Sequence, residues 1–140
     1  MAGPVTSQVS SLAVLLVDDS PTNLRLTGAM LKSVGCEVVT AESGEEAVEL
    51  VQARTHDFSL VLLDYQMPGI DGPETARRLF ELLDDVPPIL ALTGDVTLEV
   101  FKACRDAGMR LVLRKPVERS HIVAIVERLR ALQNHASRES

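Results

Sequence analysis

The most constraining stretch of the sequence is residues 60–72, where an apolar run ends abruptly in a carboxylate. The four apolar residues 60–63 are followed by Asp64, and Pro68, Gly69 and Gly72 come soon after. A short apolar run bounded by turn residues predicts a β-strand buried on both faces, followed by a loop. Ligands of open parallel sheets bind beyond the carboxyl ends of the strands. Asp64 is therefore either a solvated strand terminus or the centre of a site.

Further apolar runs alternate with helix patterns along the chain. Helix starts are marked by capping residues: Ser20 precedes a proline, and both Ser43 and Asp71 precede a glutamate by three residues. This alternation predicts an α/β fold with five parallel strands and helices on both faces, joined by right-handed crossovers. The predicted strands cover residues 12–17, 37–41, 60–63, 89–92 and 111–113, and the predicted helices cover 21–34, 44–51, 72–83, 96–107 and 120–132.

Length and composition indicate one domain of ordinary globular type. We expect a flexible leader at residues 1–11, a folded domain at 12–132 and a polar tail at 133–140. The net charge of −6 argues against direct binding of nucleic acid. The chain has no apolar run long enough to cross a bilayer and no secretory signal pattern. These features predict a cytoplasmic protein with Cys36 and Cys104 reduced in the core, a disulfide between them being the alternative.

Polar side chains follow four of the predicted strands, where parallel strands share one edge of the sheet. Asp18 and Asp19 follow the first strand, Asp64 the third, Thr93 ends the fourth and Lys115 follows the fifth. Clustered carboxylates are tolerated when a cation neutralises them, and oxygen ligands favour Mg²⁺. Lys115 suits a phosphate oxygen or Asp64 itself, and Thr93 can donate to an oxyanion. Together these groups predict phosphoryl transfer in which Asp64 becomes an aspartyl phosphate.

Each of these residues also has a simpler interpretation. Asp18 and Asp19 alone fit an ordinary helix N-terminus, where acidic side chains favour the helix dipole. Asp64 alone fits a solvated strand end, Thr93 is a common strand residue, and Lys115 alone fits a surface lysine. The combination, with every member at a strand end, favours a site.

Four motifs in this order resemble the CheY-like receiver domain of two-component response regulators over residues 12–132. They are Asp18-Asp19, Asp64 with the segment 67–72, Thr93-Gly94 and Lys115-Pro116. The resemblance implies a flavodoxin-like, doubly wound (βα)5 fold with strand order 2-1-3-4-5. It also implies a cis peptide bond before Pro116, which only an X–Pro bond adopts at modest cost.

The resemblance implies a role for each matching position. Asp64 matches the phosphoacceptor, and Thr93 and Lys115 match the pair that binds the phosphoryl group. Mg²⁺ ligands are implied at Asp19, Asp64 and the backbone carbonyl of Gln66, with Asp18 acting through water. Gln66 and Asp95 match positions that tune the lifetime of the phosphoryl group.

Partners are implied in the same way. The phosphoryl donor is a histidine kinase or a histidine phosphotransfer domain, docking near Pro21, Thr22 and Asn23. The fourth helix, fifth strand and fifth helix form the output surface for an unidentified effector, without nucleic-acid or membrane contact. The domain catalyses only its own phosphorylation and dephosphorylation and is not a turnover enzyme. The chain departs from the family at Val112, where an aromatic often completes the switch.

Two other functions remain open from the sequence. A phosphorylation-independent interaction module on the same fold is suggested by Val112. A phosphatase with an aspartyl nucleophile is the third possibility, but such enzymes add an acid/base carboxylate and a substrate cap, which we do not find in the sequence.

Overall fold

The computed structural model describes residues 12–54 and 56–139, with the side chains of residues 135–139 excepted. Within these residues, five parallel strands form one sheet in the order β2-β1-β3-β4-β5, which confirms the predicted fold. The elements in chain order are β1 (Ala13–Val17), α1 (Pro21–Ser33), β2 (Glu37–Ala41), α2 (Gly44–Ala53), β3 (Leu60–Asp64), α3 (Gly72–Leu82), β4 (Ile89–Thr93), α4 (Leu98–Asp106), β5 (Leu111–Arg114) and α5 (Arg119–Glu139).

The central strands β3 and β4 are buried because they are apolar except for Asp64 and Thr93 at their carboxyl ends. All five residues of β3 and of β4 are buried, whereas the edge strands β2 and β5 are partly exposed. Alternate side chains of the sheet point to opposite faces, so the sheet separates two apolar clusters. Burying each leucine stabilises the folded state by about 1.5–3 kcal/mol. Packing of both apolar clusters against the sheet fixes where the strand ends lie.

The predicted caps begin three helices. Ser20, Ser43 and Asp71 each accept a hydrogen bond from the backbone amide three residues on, at 3.3, 3.0 and 2.9 Å. Helix α4 begins at Leu98 rather than at the predicted Val96, because the Thr97 hydroxyl accepts from the Val100 amide at 3.1 Å and caps it there.

Helix α5 is longer than predicted. It continues to Glu139 rather than ending at the predicted Leu132. Residues 133–139 are polar, but they include neither Gly nor Pro, so nothing in them stops a helix. The Gln133 Nε2 also donates to Ser59 Oγ at 3.3 Å, which ties this part of the helix to the domain. The predicted leader, residues 1–11, lies outside the described residues.

Cys36 and Cys104 are buried and unpaired, on opposite faces of the sheet, which excludes the alternative of a disulfide between them here. In the described residues, we find no helix with the length and apolar character needed to span a membrane.

Candidate functional site

The parallel register brings the predicted site residues to one edge of the sheet. Asp64 pairs with Leu92 across β3 and β4, and Thr93 pairs with Arg114 across β4 and β5. The Lys115 amide then donates to the Thr93 carbonyl at 2.7 Å. Residues far apart in sequence therefore meet where the strands end.

Three carboxylates gather at this edge. One oxygen from each of Asp18, Asp19 and Asp64 lies within 4.8 Å of the others. Asp18 and Asp64 are 1% and 3% exposed, whereas Asp19 is exposed. An oxygen-only set with one open side fits Mg²⁺, which binds one or two carboxylates and keeps several waters.

Asp18 is held by several donors. Its Oδ1 accepts from the Ser20 amide at 2.9 Å, and its Oδ2 accepts from Asn23 Nδ2 at 3.3 Å. Lys115 Nζ lies 3.5 Å from the same Oδ2. Both oxygens of Asp18 therefore already have donors within the protein.

Lys115 joins the cluster at its centre. Its Nζ lies 3.0 Å from Asp64 Oδ1, in an ion pair that is mostly shielded from solvent. The peptide bond between Lys115 and Pro116 is cis, as the resemblance implied.

The electrostatics of the site show that one lysine does not balance three carboxylates. Burial is the largest cause that raises the pKa of Asp64, and the charges of Asp18 and Asp19 add to it. The hydrogen bond and the charge of Lys115 act in the opposite direction, and the resulting pKa is about 6. Burial alone lowers the pKa of Lys115, but its hydrogen bond to Asp64 and the nearby carboxylates outweigh burial and raise it. The pair is therefore an ammonium beside a carboxylate that burial makes costly to ionise, and a divalent cation would relieve that cost.

Thr93 lies at the margin of this cluster. It is buried at the end of β4, and its hydroxyl lies 3.2 Å from both the backbone amide and the backbone oxygen of Asp95. Thr93 is thus engaged with the loop that follows it rather than with the Asp64–Lys115 pair. Gln66 and Asp95 are both exposed beside the site, and Val112 is half-buried and packs against the core.

The two ends of the loop after β3, residues 65–71, are held close together. The loop's end is tied back because the Gly72 amide donates to the Tyr65 carbonyl at 2.9 Å. A Cβ at Gly72 would lie 2.6 Å from the Asp64 carbonyl oxygen, so only glycine fits here without a shift.

Sequence reasoning missed one contact of this loop. The Ile70 amide donates to Oε2 of Glu45 on α2 at 3.2 Å. The one available signal was the pair Glu45-Glu46. Glu46 has the capping-box position relative to Ser43, and its Oε1 accepts from the Glu42 amide, one residue before the cap, at 2.9 Å, so Glu45 is left without a capping role.

Comparison with known proteins agrees with this geometry. The sequence model of the response regulator receiver domain matches residues 14–127. Among curated relatives, the sensor protein GacS of Pseudomonas syringae pv. syringae is 37% identical over 117 residues, which cover 81% of this chain and 13% of GacS. The signal transduction histidine-protein kinase BarA of Escherichia coli (strain K12) is 35% identical over 125 residues, or 85% of this chain and 13% of BarA. The chain thus spans about an eighth of these relatives' length.

Solved structures give the same result. The receiver domain of the sensor histidine kinase PA1611 from Pseudomonas aeruginosa PAO1 superposes with a TM-score of 0.78 at 29% identity, covering 87% of this chain and 99% of that one. That structure is described as having a magnesium ion coordinated in its active site cleft. The chemotaxis protein CheY4 of Vibrio cholerae superposes with a TM-score of 0.76 at 27% identity, covering 86% and 99%.

Proposed function

Because the chain belongs to the response regulator receiver domain family, we propose that Asp64 accepts a phosphoryl group from a phosphohistidine and that this switches the binding of a partner. One observation carries the proposal. Asp64 is buried at the carboxyl end of β3, 3.0 Å from Lys115 Nζ, with the oxygens of Asp18 and Asp19 within 4.8 Å. A nucleophile, a metal-binding carboxylate pair and a cation for the phosphoryl oxygens are thus in one place.

The residues present fit Mg²⁺, and we assign Asp19, Asp64 and the carbonyl of Gln66 as its ligands, with Asp18 acting through water. When bound, the ion supplies positive charge that neutralises the carboxylates and the phosphoryl oxygens. The exposure of Asp19 and the burial of Asp64 support this assignment. An ion between these two carboxylates has one side open to water and to the incoming phosphoryl donor.

The chain's own residues account for the transfer. One Asp64 oxygen attacks phosphorus as the bond from phosphorus to the imidazole nitrogen breaks, and that electron pair leaves with the imidazole. Lys115, which pairs with Asp64 beforehand, then pairs with a phosphoryl oxygen. The Thr93 hydroxyl leaves Asp95 and donates to another phosphoryl oxygen.

The curated relatives are histidine kinases of which this chain matches only a small part. We therefore propose a histidine kinase or a histidine phosphotransfer domain as the phosphoryl donor, docking beside residues 21–23, and a cytoplasmic location. The output surface consists of α4, β5 and α5. Gln66 and Asp95, both exposed beside Asp64, set the lifetime of the phosphoryl group.

The experiment is phosphorylation by acetyl phosphate with Mg²⁺, followed by intact mass spectrometry. One phosphoryl group should be added to the wild type and to the control Glu49→Gln, an exposed residue away from the site. Asp64→Asn should add none while its circular dichroism stays unchanged. Labelling that persists in a folded Asp64→Asn protein contradicts the proposal.

A second candidate function is an interaction module that works without phosphorylation. Val112, in the place of the switch aromatic, is the observation that favours it. Partner binding that is equal in wild type, phosphorylated wild type and Asp64→Ala identifies this function instead.

A further inference from the structure

We infer that Glu45, on α2, is a positioning residue for the loop that carries Gln66, and that it strengthens metal binding at the site. The inference rests on the proposed magnesium site, in which the Gln66 carbonyl is a ligand. The loop is residues 65–71, between β3 and α3. Glu45 belongs to another element and touches none of the carboxylates that the proposed function uses.

Two contacts place the Glu45 carboxylate directly against this loop. Its Oε2 accepts a hydrogen bond from the Ile70 amide at 3.2 Å. The preceding residue, Gly69, has a φ of +80°, and a Cβ there would lie 2.5 Å from Glu45 Oε2. The left-handed glycine therefore lets the backbone approach the carboxylate closely, and any side chain at residue 69 would displace it.

The start of α2 supports the same part of the loop. Gly44 lies against the side chains of Ile70 and Thr75, and a Cβ there would be 2.6 Å from Ile70 Cγ1. The Thr75 hydroxyl donates to the Asp71 carbonyl at 2.7 Å, which fixes the end of the loop to α3. Helix α2 thus contacts the loop through a packed glycine and a charged acceptor.

Helix capping does not explain the orientation of Glu45. The Ser43 hydroxyl accepts from the Glu46 amide, and Glu46 Oε1 accepts from the Glu42 amide just before the cap, so these bonds at the start of α2 form without Glu45. An acidic residue in the first turn favours the helix dipole wherever its side chain points. The dipole therefore gives no reason for the carboxylate of Glu45 to reach a loop 25 residues away.

The loop needs such a support because its middle is exposed. Gln66 is exposed, and the segment is anchored before it by the Tyr65 amide, which donates to the Leu92 carbonyl at 2.8 Å. After it, the Met67 side chain is buried in the core, and the next anchor is the bond from Ile70 to Glu45. A ligand carbonyl binds best when its orientation is fixed before the ion arrives, and supporting hydrogen bonds provide this.

The test compares Glu45→Ala, Glu45→Gln and the control Glu49→Ala, which removes an exposed carboxylate one turn further along α2. Glu45→Ala removes the acceptor of one hydrogen bond that supports the loop and should weaken Mg²⁺ binding about 3- to 10-fold by calorimetry. In the metal-free protein, the Ile70 amide should exchange with deuterium faster by a similar factor. Glu45→Gln keeps an acceptor oxygen and should stay within about twofold of wild type, as should Glu49→Ala.

Three outcomes overturn the inference. The first is an unchanged exchange rate of the Ile70 amide in Glu45→Ala, and the second is a Mg²⁺ affinity of Glu45→Ala equal to that of Glu49→Ala. The third is a Mg²⁺ affinity of Glu45→Gln as low as that of Glu45→Ala, since this would mean that the charge of Glu45 matters rather than its hydrogen bond. Failure of the proposed function looks different, because the wild type itself would then bind no Mg²⁺ and accept no phosphoryl group.

Discussion

Replacing the buried nucleophile should stabilise this protein when no divalent cation is present. Asp64 is 3% exposed, and burial together with the Asp18 and Asp19 charges raises its pKa from 3.8 to about 6. The folded state therefore holds its proton more tightly than the unfolded state, and stability falls as pH rises from about 4 to about 7. Above that window the full penalty of ionising Asp64 is present, and below it the penalty is absent.

The magnitude follows from the shift. Two pKa units correspond to about 3 kcal/mol at most. Asp64→Asn also weakens the hydrogen bond from Lys115 Nζ at 3.0 Å, which offsets part of this gain, so we expect a net gain of about 1–2 kcal/mol at pH 7.5. The gain should shrink towards zero near pH 4. Saturating Mg²⁺ should reverse the order, because the ion stabilises only a protein that binds it well.

The assay is urea unfolding followed by circular dichroism at several pH values, with chelator and then with Mg²⁺. Asp84→Asn, at an exposed residue in the turn before β4, is the control and should not change the free energy of unfolding beyond about 0.5 kcal/mol at any pH. An Asp64→Asn protein that is less stable than wild type at pH 7.5 in chelator, or a gain that is the same at pH 4 and pH 7.5, refutes the reasoning.

Three further predictions concern the sheet, the loop and the lysine. Leu62→Ala removes a side chain that is 0% exposed at the centre of β3 and should lower the free energy of unfolding in urea by about 3–5 kcal/mol. A decrease below about 1 kcal/mol contradicts the packing described here. Gly72→Ala places a Cβ 2.6 Å from the Asp64 carbonyl oxygen and should destabilise the folded protein by about 1–3 kcal/mol. It should also lower the rate of phosphorylation by acetyl phosphate, and an unchanged rate argues against the close contact. Lys115→Met removes the ammonium group 3.0 Å from Asp64 Oδ1, so the carboxylates should attract Mg²⁺ several-fold more tightly in calorimetry. The phosphorylation rate should fall. Weaker Mg²⁺ binding contradicts the assigned electrostatics.

The fold was predictable where local chemistry and tertiary packing agree. The runs that became β3 and β4 are apolar throughout and stop at turn residues, so the local pattern and the buried sheet lead to the same assignment. The convergence of Asp18, Asp64 and Lys115 followed from strand direction alone, since parallel strands end at one edge.

The parts that were not predicted depend on information that a local pattern does not hold. The end of α5 was misplaced because a polar segment without Gly or Pro is compatible with both a tail and a helix. The start of α4 was misplaced because Thr97 was not recognised as a cap. The bond from Ile70 to Glu45 joins two elements whose spacing is set by packing between α2 and α3, so no short motif announces it. The hydrogen bonding of the Thr93 hydroxyl to Asp95 likewise depends on the conformation of a loop.

The contacts of Lys115 with Asp64 and Asp18 span 51 and 97 residues, and the lysine follows both acids in the chain. A ribosome therefore releases the acidic groups well before it releases their internal counterion. Until the edge strand β5 has been translated and docked beside β4, the clustered carboxylates lack the ammonium group that pairs with them in the finished domain. Truncation before residue 115 should thus leave a nascent chain whose compactness rises steeply with magnesium concentration, whereas the finished domain depends on it far less.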